Sequence, residues 1–123
     1  MPITLPDASR DAMCDALVDL VDVSGPGSLE IMTSGDVEVA TLPAAATAFG
    51  ASVAGVCTAG TITDDTSATG GTAALHRWNN GVAAEIWRGN VLTSGGDLNL
   101  SSLSVGVGDT VQCSAYTVTV PAS

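Results

Sequence analysis

The hydrophobic period of this chain changes once. Between residues 7 and 22 apolar side chains recur every three or four positions, and from Ser28 onward they alternate. Met13, Ala16, Leu17, Leu20 and Val21 form one stripe at helical spacing, and Asp7, Asp11, Asp15, Asp19 and Asp22 form another on the opposite side. The pattern predicts a single helix over about residues 7–22. Asp7 is placed to cap its first turn, with Leu5 as a hydrophobic staple just before it. Residues 1–6 are an N-terminal arm, apolar over residues 2–5. Carboxylates four residues apart repel by about 0.2–0.5 kcal/mol per pair. The acidic stripe is therefore expected to face water, or more sharply a basic partner, while the apolar stripe packs on the rest of the chain. Gly25-Pro26-Gly27 ends the helical region.

Beyond Gly27 the signals are those of strands. Leu29 and Ile31 alternate with Glu30 and Met32, and Val37 and Val39 with Asp36 and Glu38. A three-residue loop, Ser34 to Asp36, would set Ile31 against Val39 and Thr33 against Val37, which keeps charge off the apolar face. The strongest local signal lies between Ala73 and Arg88. Asn80-Gly81 reads as a type I′ turn, because both residues accept positive φ cheaply. A two-residue loop there pairs Trp78 with Ala83, His76 with Glu85, Leu75 with Ile86 and Ala74 with Trp87. One face then carries Leu75, Arg77, Ala84 and Ile86, and the other His76, Trp78, Glu85 and Trp87. Further strands are expected at Asp97–Leu100, around Leu103–Val107, and from Thr110 to Val120. In the last, the buried parity slips near Ala115–Tyr116, as a bulge or burial on both faces would allow. Short strands separated by Gly/Asp/Asn turns predict a mainly β chain. The expected fold is an antiparallel β-sandwich or barrel-like domain over 28–121, with the helix packed on an edge or open end.

Composition adds constraints. At 123 residues the chain has the length of one domain. Only 3% of residues are aromatic, so the core must rest on Val, Leu, Ile and Ala, with Phe49, the sole phenylalanine, expected to plug it. Thirteen acids against three arginines and no lysine give a net charge of −10. Such a surface repels nucleic acid and anionic membrane, and neither is expected as a partner. No apolar run approaches the ~18 residues of a membrane span, and no signal peptide is read at the N-terminus. Cys14, Cys57 and Cys113 are odd in number and lack C-x-x-C spacing. They are expected as free, mostly buried thiols in a reducing compartment.

Candidate chemistry is sparse. His76 opposite Glu85 is the one acid–base pair the register predicts, but a nucleophile, an oxyanion hole and a phosphate loop are not in the sequence. It reads as a cross-strand ion pair. Asp64 and Asp65 could offer oxygen ligands to calcium, without EF-hand spacing; a solvated loop is the plainer reading. No catalytic residue, metal or cofactor is expected. Trp78 and Trp87 can anchor an interface or fill the core. Ile3, Leu5, His76, Trp78, Glu85 and Trp87 are the candidate interface residues.

Several segments taken together carry a resemblance. They are Gly27-Ser28-Leu29-Glu30-Ile31, Ala40-Thr41-Leu42-Pro43, Ala48-Phe49-Gly50 and Thr93-Ser94-Gly95-Gly96-Asp97-Leu98-Asn99-Leu100. The ending Gly108-Asp109-Thr110-Val111 through Tyr116-Thr117-Val118-Thr119-Val120-Pro121 belongs with them. The set resembles small structural proteins of tailed bacteriophage virions, encoded among head and neck genes. The resemblance implies a non-enzymatic, head-associated particle component. Capsid decoration (cement) is the first expectation, with a neck, collar or tail protein as its rival. The implied partners are the major capsid protein or other virion proteins, with the chain as a homo-oligomer or in many copies in a symmetric shell, on the outer surface of the head, after synthesis in the host cytoplasm. A carbohydrate- or host-surface-binding β-sandwich is a further alternative.

Overall fold

The structure is a computed structural model that describes residues 3–122. Met1 and Pro2 of the expected arm lie outside the described residues. Helix α1 spans Asp7–Asp19 and tightens into a 3₁₀ turn at Leu20–Asp22. Pro6, not Asp7, is the N-cap; Asp7 is the first helical residue and pairs with Arg10 one turn on. The buried face also differs from the expected one. Cys14, Val18 and Val21 point inward, whereas Met13, Ala16 and Leu20 are exposed.

The reason lies in what the aspartates do. Asp11 Oδ1 accepts from the Gly55 N–H at 2.7 Å, Asp15 Oδ1 from Ser52 at 2.9 Å, and Asp22 Oδ1 from Ala48 at 2.9 Å. Three carboxylates of one stripe therefore grip the backbone of residues 48–55. That segment has few sheet partners for its N–H groups, and an unpaired buried N–H costs as much as a lost hydrogen bond. Pattern reading assumed that charge faces water; here it faces backbone.

Strand β1 (Ser28–Met32) is followed by β2 (Glu38–Pro43), β3 (Val56–Thr58) and β4 (Gly71–Thr72). Then come β5 (Leu75–Asn79), β6 (Glu85–Leu92), β7 (Leu98–Asn99), β8 (Ser104–Val105) and β9 (Thr117–Thr119). The main sheet has the order β2-β1-β5-β6-β7. All its pairings are antiparallel except β6–β7, which is parallel across the short 93–97 loop. Two small antiparallel pairs, β3–β9 and β4–β8, complete the β structure. The chain is mainly β with one N-terminal helix and a curled, partly barrel-like sheet.

The two long hairpins of the sheet share one design. In β1–β2 the loop is Ser34 to Asp36, as the alternation required, and the Thr33 N–H donates to the Val37 carbonyl. Thr33 Oγ1 accepts from the N–H groups of Gly35 and Val37, and Asp36 sits at φ 63°. In β5–β6 the loop is Gly81 to Ala83, with Asn80 N–H donating to Ala84. Asn80 Oδ1 accepts from Val82 and Ala84, and Ala83 sits at φ 61°. Each is a three-residue loop whose last residue is left-handed. Each is followed by a bulge at the matching place, between Ile31 and Met32 in one and between Trp78 and Asn79 in the other.

The match continues across the sheet. Positions 47 apart correspond throughout the two hairpins, and in the central β1–β5 pairing Glu30 faces Arg77, its own counterpart. A local two-fold axis thus passes through the Glu30–Arg77 ion pair, closed at 2.9 Å. The two hairpin sequences share little beyond Glu38/Glu85 and Val39/Ile86, so no repeat is visible in the sequence.

The bulges correct two expected registers. Ile31 faces Ala40 instead of Val39, although both Val39 and Ala40 are buried. In β5–β6 the type I′ turn is not formed, and Trp78 faces Trp87, His76 faces Gly89 and Asn79 faces Glu85. Gly81 is needed for a different reason from positive φ. A Cβ there would collide with the Ser24 carbonyl oxygen, because the hairpin tip lies on the end of the helical region, Gly81 N–H donating to Val23 at 3.0 Å. Gly81 serves close approach, not the positive φ of a type I′ turn.

One apolar cluster runs from Cys14, Val18 and Val21 of the helix through Leu29, Ile31, Leu42, Trp78 and Val91 of the sheet to Cys57, Val111 and Tyr116. The opposing layer is built from 44–63 and 111–120, with isolated bridges such as Phe49–Ala59 and Asp65–Val111. In the last segment the buried parity changes at Ser114–Ala115, both exposed, between buried Cys113 and Tyr116.

Candidate functional site at the His76–Tyr116 cluster

Alternation along β5 turns His76 and Trp78 to the inner face, and the register adds Trp87 beside them. Phe49 and Tyr116 arrive from the opposing layer. Every Phe, Tyr and Trp of the chain meets here: the Trp78 and Trp87 rings lie 5.9 Å apart, Phe49 is 4.9 Å from Trp78, and Tyr116 is 5.3 Å from Trp78. Pairs at this spacing add about 0.5–1.5 kcal/mol each beyond their area.

His76 is completely buried. Its Nδ1 lies 3.0 Å from the Asn90 carbonyl oxygen, and its Nε2 2.7 Å from the Tyr116 hydroxyl. A carbonyl only accepts, so Nδ1 carries the proton, Nε2 presents its lone pair and Tyr116 donates to it. The Trp87 indole N–H in turn donates to the Tyr116 oxygen at 3.1 Å. The chain of donors runs in one direction, Trp87 to Tyr116 to His76 to Asn90. Burial holds the imidazole pKa below its ordinary value and pushes the Tyr116 phenol up, so both are neutral near pH 7. A general base needs a lone pair that substrate can reach. The only lone pair of His76 is spent on Tyr116.

Gly89 lets Asp97 close over this cluster. A Cβ at residue 89 would stand 2.7 Å from Asp97 Oδ2 and 2.8 Å from His76 Cε1. Asp97 is held by the Asn90 N–H at 3.2 Å and its own N–H donates to Asn90 Oδ1 at 2.7 Å. Outside lies a shallow cavity of about 250 Å³ against Trp87, Arg88, Asp97 and Thr117. A second, of about 280 Å³, continues past Asn99, Gln112 and Ser114. Both fall below the ~300–1,000 Å³ usual for small-molecule pockets.

The expected site residues are dispersed. Glu85 is not across from His76; the bulge carries it to the outer face, where it meets Arg88 at 2.7 Å and Arg77 at 3.6 Å. That face holds a ladder from Asp36 through Arg88, Glu85 and Arg77 to Glu30 and Asn79. His76 and Trp78 are 0% exposed and belong to the core, so neither presents a surface to a partner in the folded chain. Trp87 is half-buried. Ile3 is 77% exposed, and Leu5 is half-buried with its N–H on the Ala122 carbonyl at 2.7 Å.

Tyr116, Asn90 and Asp97 complete the cluster and have no local signature in the sequence. Asp64 and Asp65 are engaged otherwise: Asp65 accepts from Thr41 and Ser67, and Asp64 from Gln112. Among the described residues no group of three or more His, Cys, Asp or Glu is placed to hold a metal ion. The three cysteines are free and buried. Burial, with Cys14 and Asp15 alongside, pushes the Cys57 thiol up to about 12, and such a thiol is a poor nucleophile. Among the described residues no helix is long and apolar enough to cross a membrane. Compared with known proteins, the chain matches no family model, no curated protein and no solved structure.

Proposed function

We propose that this chain is a non-enzymatic structural component of a tailed-bacteriophage virion, a capsid decoration (cement) protein bound in many copies to the outside of the head. The resemblance of its segments to small head and neck proteins suggests the setting. The observation that carries a structural role is the use the fold makes of its reactive groups. The sole histidine ends in a closed internal hydrogen-bond chain, and Asp11, Asp15 and Asp22 hold backbone. A decoration protein needs such a rigid body, because it stabilises a shell by binding the assembled state, a mass-action effect that requires no chemistry.

Copy number and position in purified particles test this reading. Hundreds of copies spread over the head are expected; a handful at one vertex would replace it with a neck, collar or tail role, and absence from particles would overturn both. A carbohydrate-binding role is the second reading. It is favoured by half-buried Trp87 beside the groove that Arg88, Asp97 and Thr117 line. Saturable quenching of tryptophan fluorescence by a host glycan, lost in Asp97→Ala, would favour it over cement.

A further inference from the structure

The three thiols are not equivalent. Cys113 stands by itself, its Sγ donating to the Ala115 carbonyl at 3.3 Å within its own segment. Cys14 and Cys57 come from different layers and converge. Cys14 lies on the buried face of α1, and its Sγ donates to the Val118 carbonyl at 3.5 Å. Val118 is the residue that Cys57 faces across the β3–β9 pair. From the other direction, the Cys57 Sγ lies 3.6 Å from Oδ1 of Asp15, the helix residue next to Cys14. Each sulfur is thus fixed against an immediate neighbour of the other residue, and both residues are 0% exposed.

We infer that Cys14 and Cys57 are a dithiol that closes to a disulfide in an oxidising environment and ties α1 to β3, leaving Cys113 free. The odd number of cysteines is then one bridge and one spare thiol. The bridge falls where the fold has most to gain. Asp11 and Asp15 hold α1 to residues 52–55 by hydrogen bonds to backbone. A covalent link beside them closes a loop from residue 14 to residue 57 that contains the whole β1–β2 hairpin, and long loops are those whose closure most restricts the unfolded chain.

The oxidant is a small-molecule disulfide, of which oxidised glutathione is the test case. One protein thiolate attacks a sulfur of the oxidant and expels one thiol. The second protein thiolate attacks the protein-side sulfur of that mixed disulfide and expels the other. One S–S bond is broken and one formed, and the two electrons and two protons lost by the protein end on the two expelled thiols. The closed fold resists this step. Neither sulfur reaches the surface, and burial, with Cys14 and Asp15 alongside, pushes the Cys57 thiol up to about 12, so little thiolate forms. Oxidation therefore belongs to folding itself, or to local opening of α1 from β3.

The test uses the isolated full chain, so its outcome is independent of the virion reading. Reduced, unfolded chain is refolded with oxidised glutathione in one arm and reduced glutathione in the other. In the oxidising arm the titratable thiols should fall from three to one, and the intact mass by two hydrogens. Aspartates and glutamates lie between Cys14 and Cys57 in the sequence, so digestion at acidic residues without reductant should yield their two peptides joined. The melting temperature should rise by about 5 °C or more over the reduced arm, and the Ser52 and Gly55 amides should exchange more slowly. Cys113→Ser should still lose two thiols, whereas Cys14→Ser should lose none; if Cys14→Ser fails to fold, the peptide map of the unaltered chain decides. Three free thiols or glutathione adducts after oxidative refolding, a link through Cys113, or a bridged chain that melts no higher than the reduced one would each overturn the inference.

Discussion

His76 illustrates how one side chain changes meaning with its surroundings. Alternation placed it correctly on one face with Trp78 and Trp87. The partner it was assigned, Glu85, is displaced by a bulge, and its real partner lies forty residues away on Tyr116, beyond any local spacing. The consequence is a pH dependence of stability. Burial lowers the folded-state pKa of His76, while the unfolded chain titrates near 6.5. Below that pH the unfolded state takes up a proton that the native state refuses, so stability falls as pH drops until the folded pKa is reached. The slope contributed is at most about 1.4 kcal/mol per pH unit. Urea denaturation between pH 7.5 and 5 (about one unit either side of an ordinary histidine) should show this slope, and His76→Phe should flatten it. An unchanged slope in the variant would mean that His76 is not neutral in the fold.

At the level of elements, the two hairpins make opposite demands on small residues from those their sequences suggest. Ala83 carries positive φ and Gly81 does not. Ala83→Gly is therefore expected to be neutral or stabilising by up to about 1 kcal/mol, since only glycine occupies the left-handed region without penalty. Gly81→Ala should be strongly destabilising, because its Cβ falls on the Ser24 carbonyl. Midpoints of chemical denaturation check this, and Ala83→Gly is the discriminating variant: a type I′ turn at Asn80-Gly81 would also penalise Gly81→Ala, but would leave Ala83 in a strand, where glycine destabilises. The helix was legible in extent but not in orientation. Periodicity gives two stripes, and the buried face lies between them: Val21 of the apolar stripe is buried and Leu17 half-buried, but Cys14 and Val18 replace Met13, Ala16 and Leu20. Segment 48–55 needed acceptors, and the short aspartate side chains supply them. The Ser52 N–H holds the Asp15 carboxyl below the usual carboxylate range, so this contact contributes above pH 3.8 and is lost as pH falls through the depressed value. Asp15→Ala should lower stability at neutral pH and speed hydrogen exchange at the Ser52 amide; unchanged exchange there would argue against the latch.

Over the whole molecule, the change of period at Ser28 was enough to give a mainly β fold with one N-terminal helix, because half-buried strands must alternate. The parallel β6–β7 pair and the second layer were not legible. They rest on two- and three-residue strands and single bridges, too short to impose a period. The 47-residue correspondence between the hairpins was invisible for a related reason: it resides in loop geometry and bulge position, which Thr33 and Asn80 produce equally well. That correspondence bears on the order in which the chain folds. Each hairpin closes over a short separation and carries its own loop-stabilising oxygen, so both can form early and independently. Docking β1 on β5 across the Glu30–Arg77 axis then has to close a much longer loop, and β3–β9 a longer one still. Stopped-flow refolding followed by tryptophan fluorescence should find Val39→Ala chiefly slowing folding and Val118→Ala chiefly speeding unfolding. The reverse partition would mean that the sheet is nucleated from its termini, not from its two matched halves.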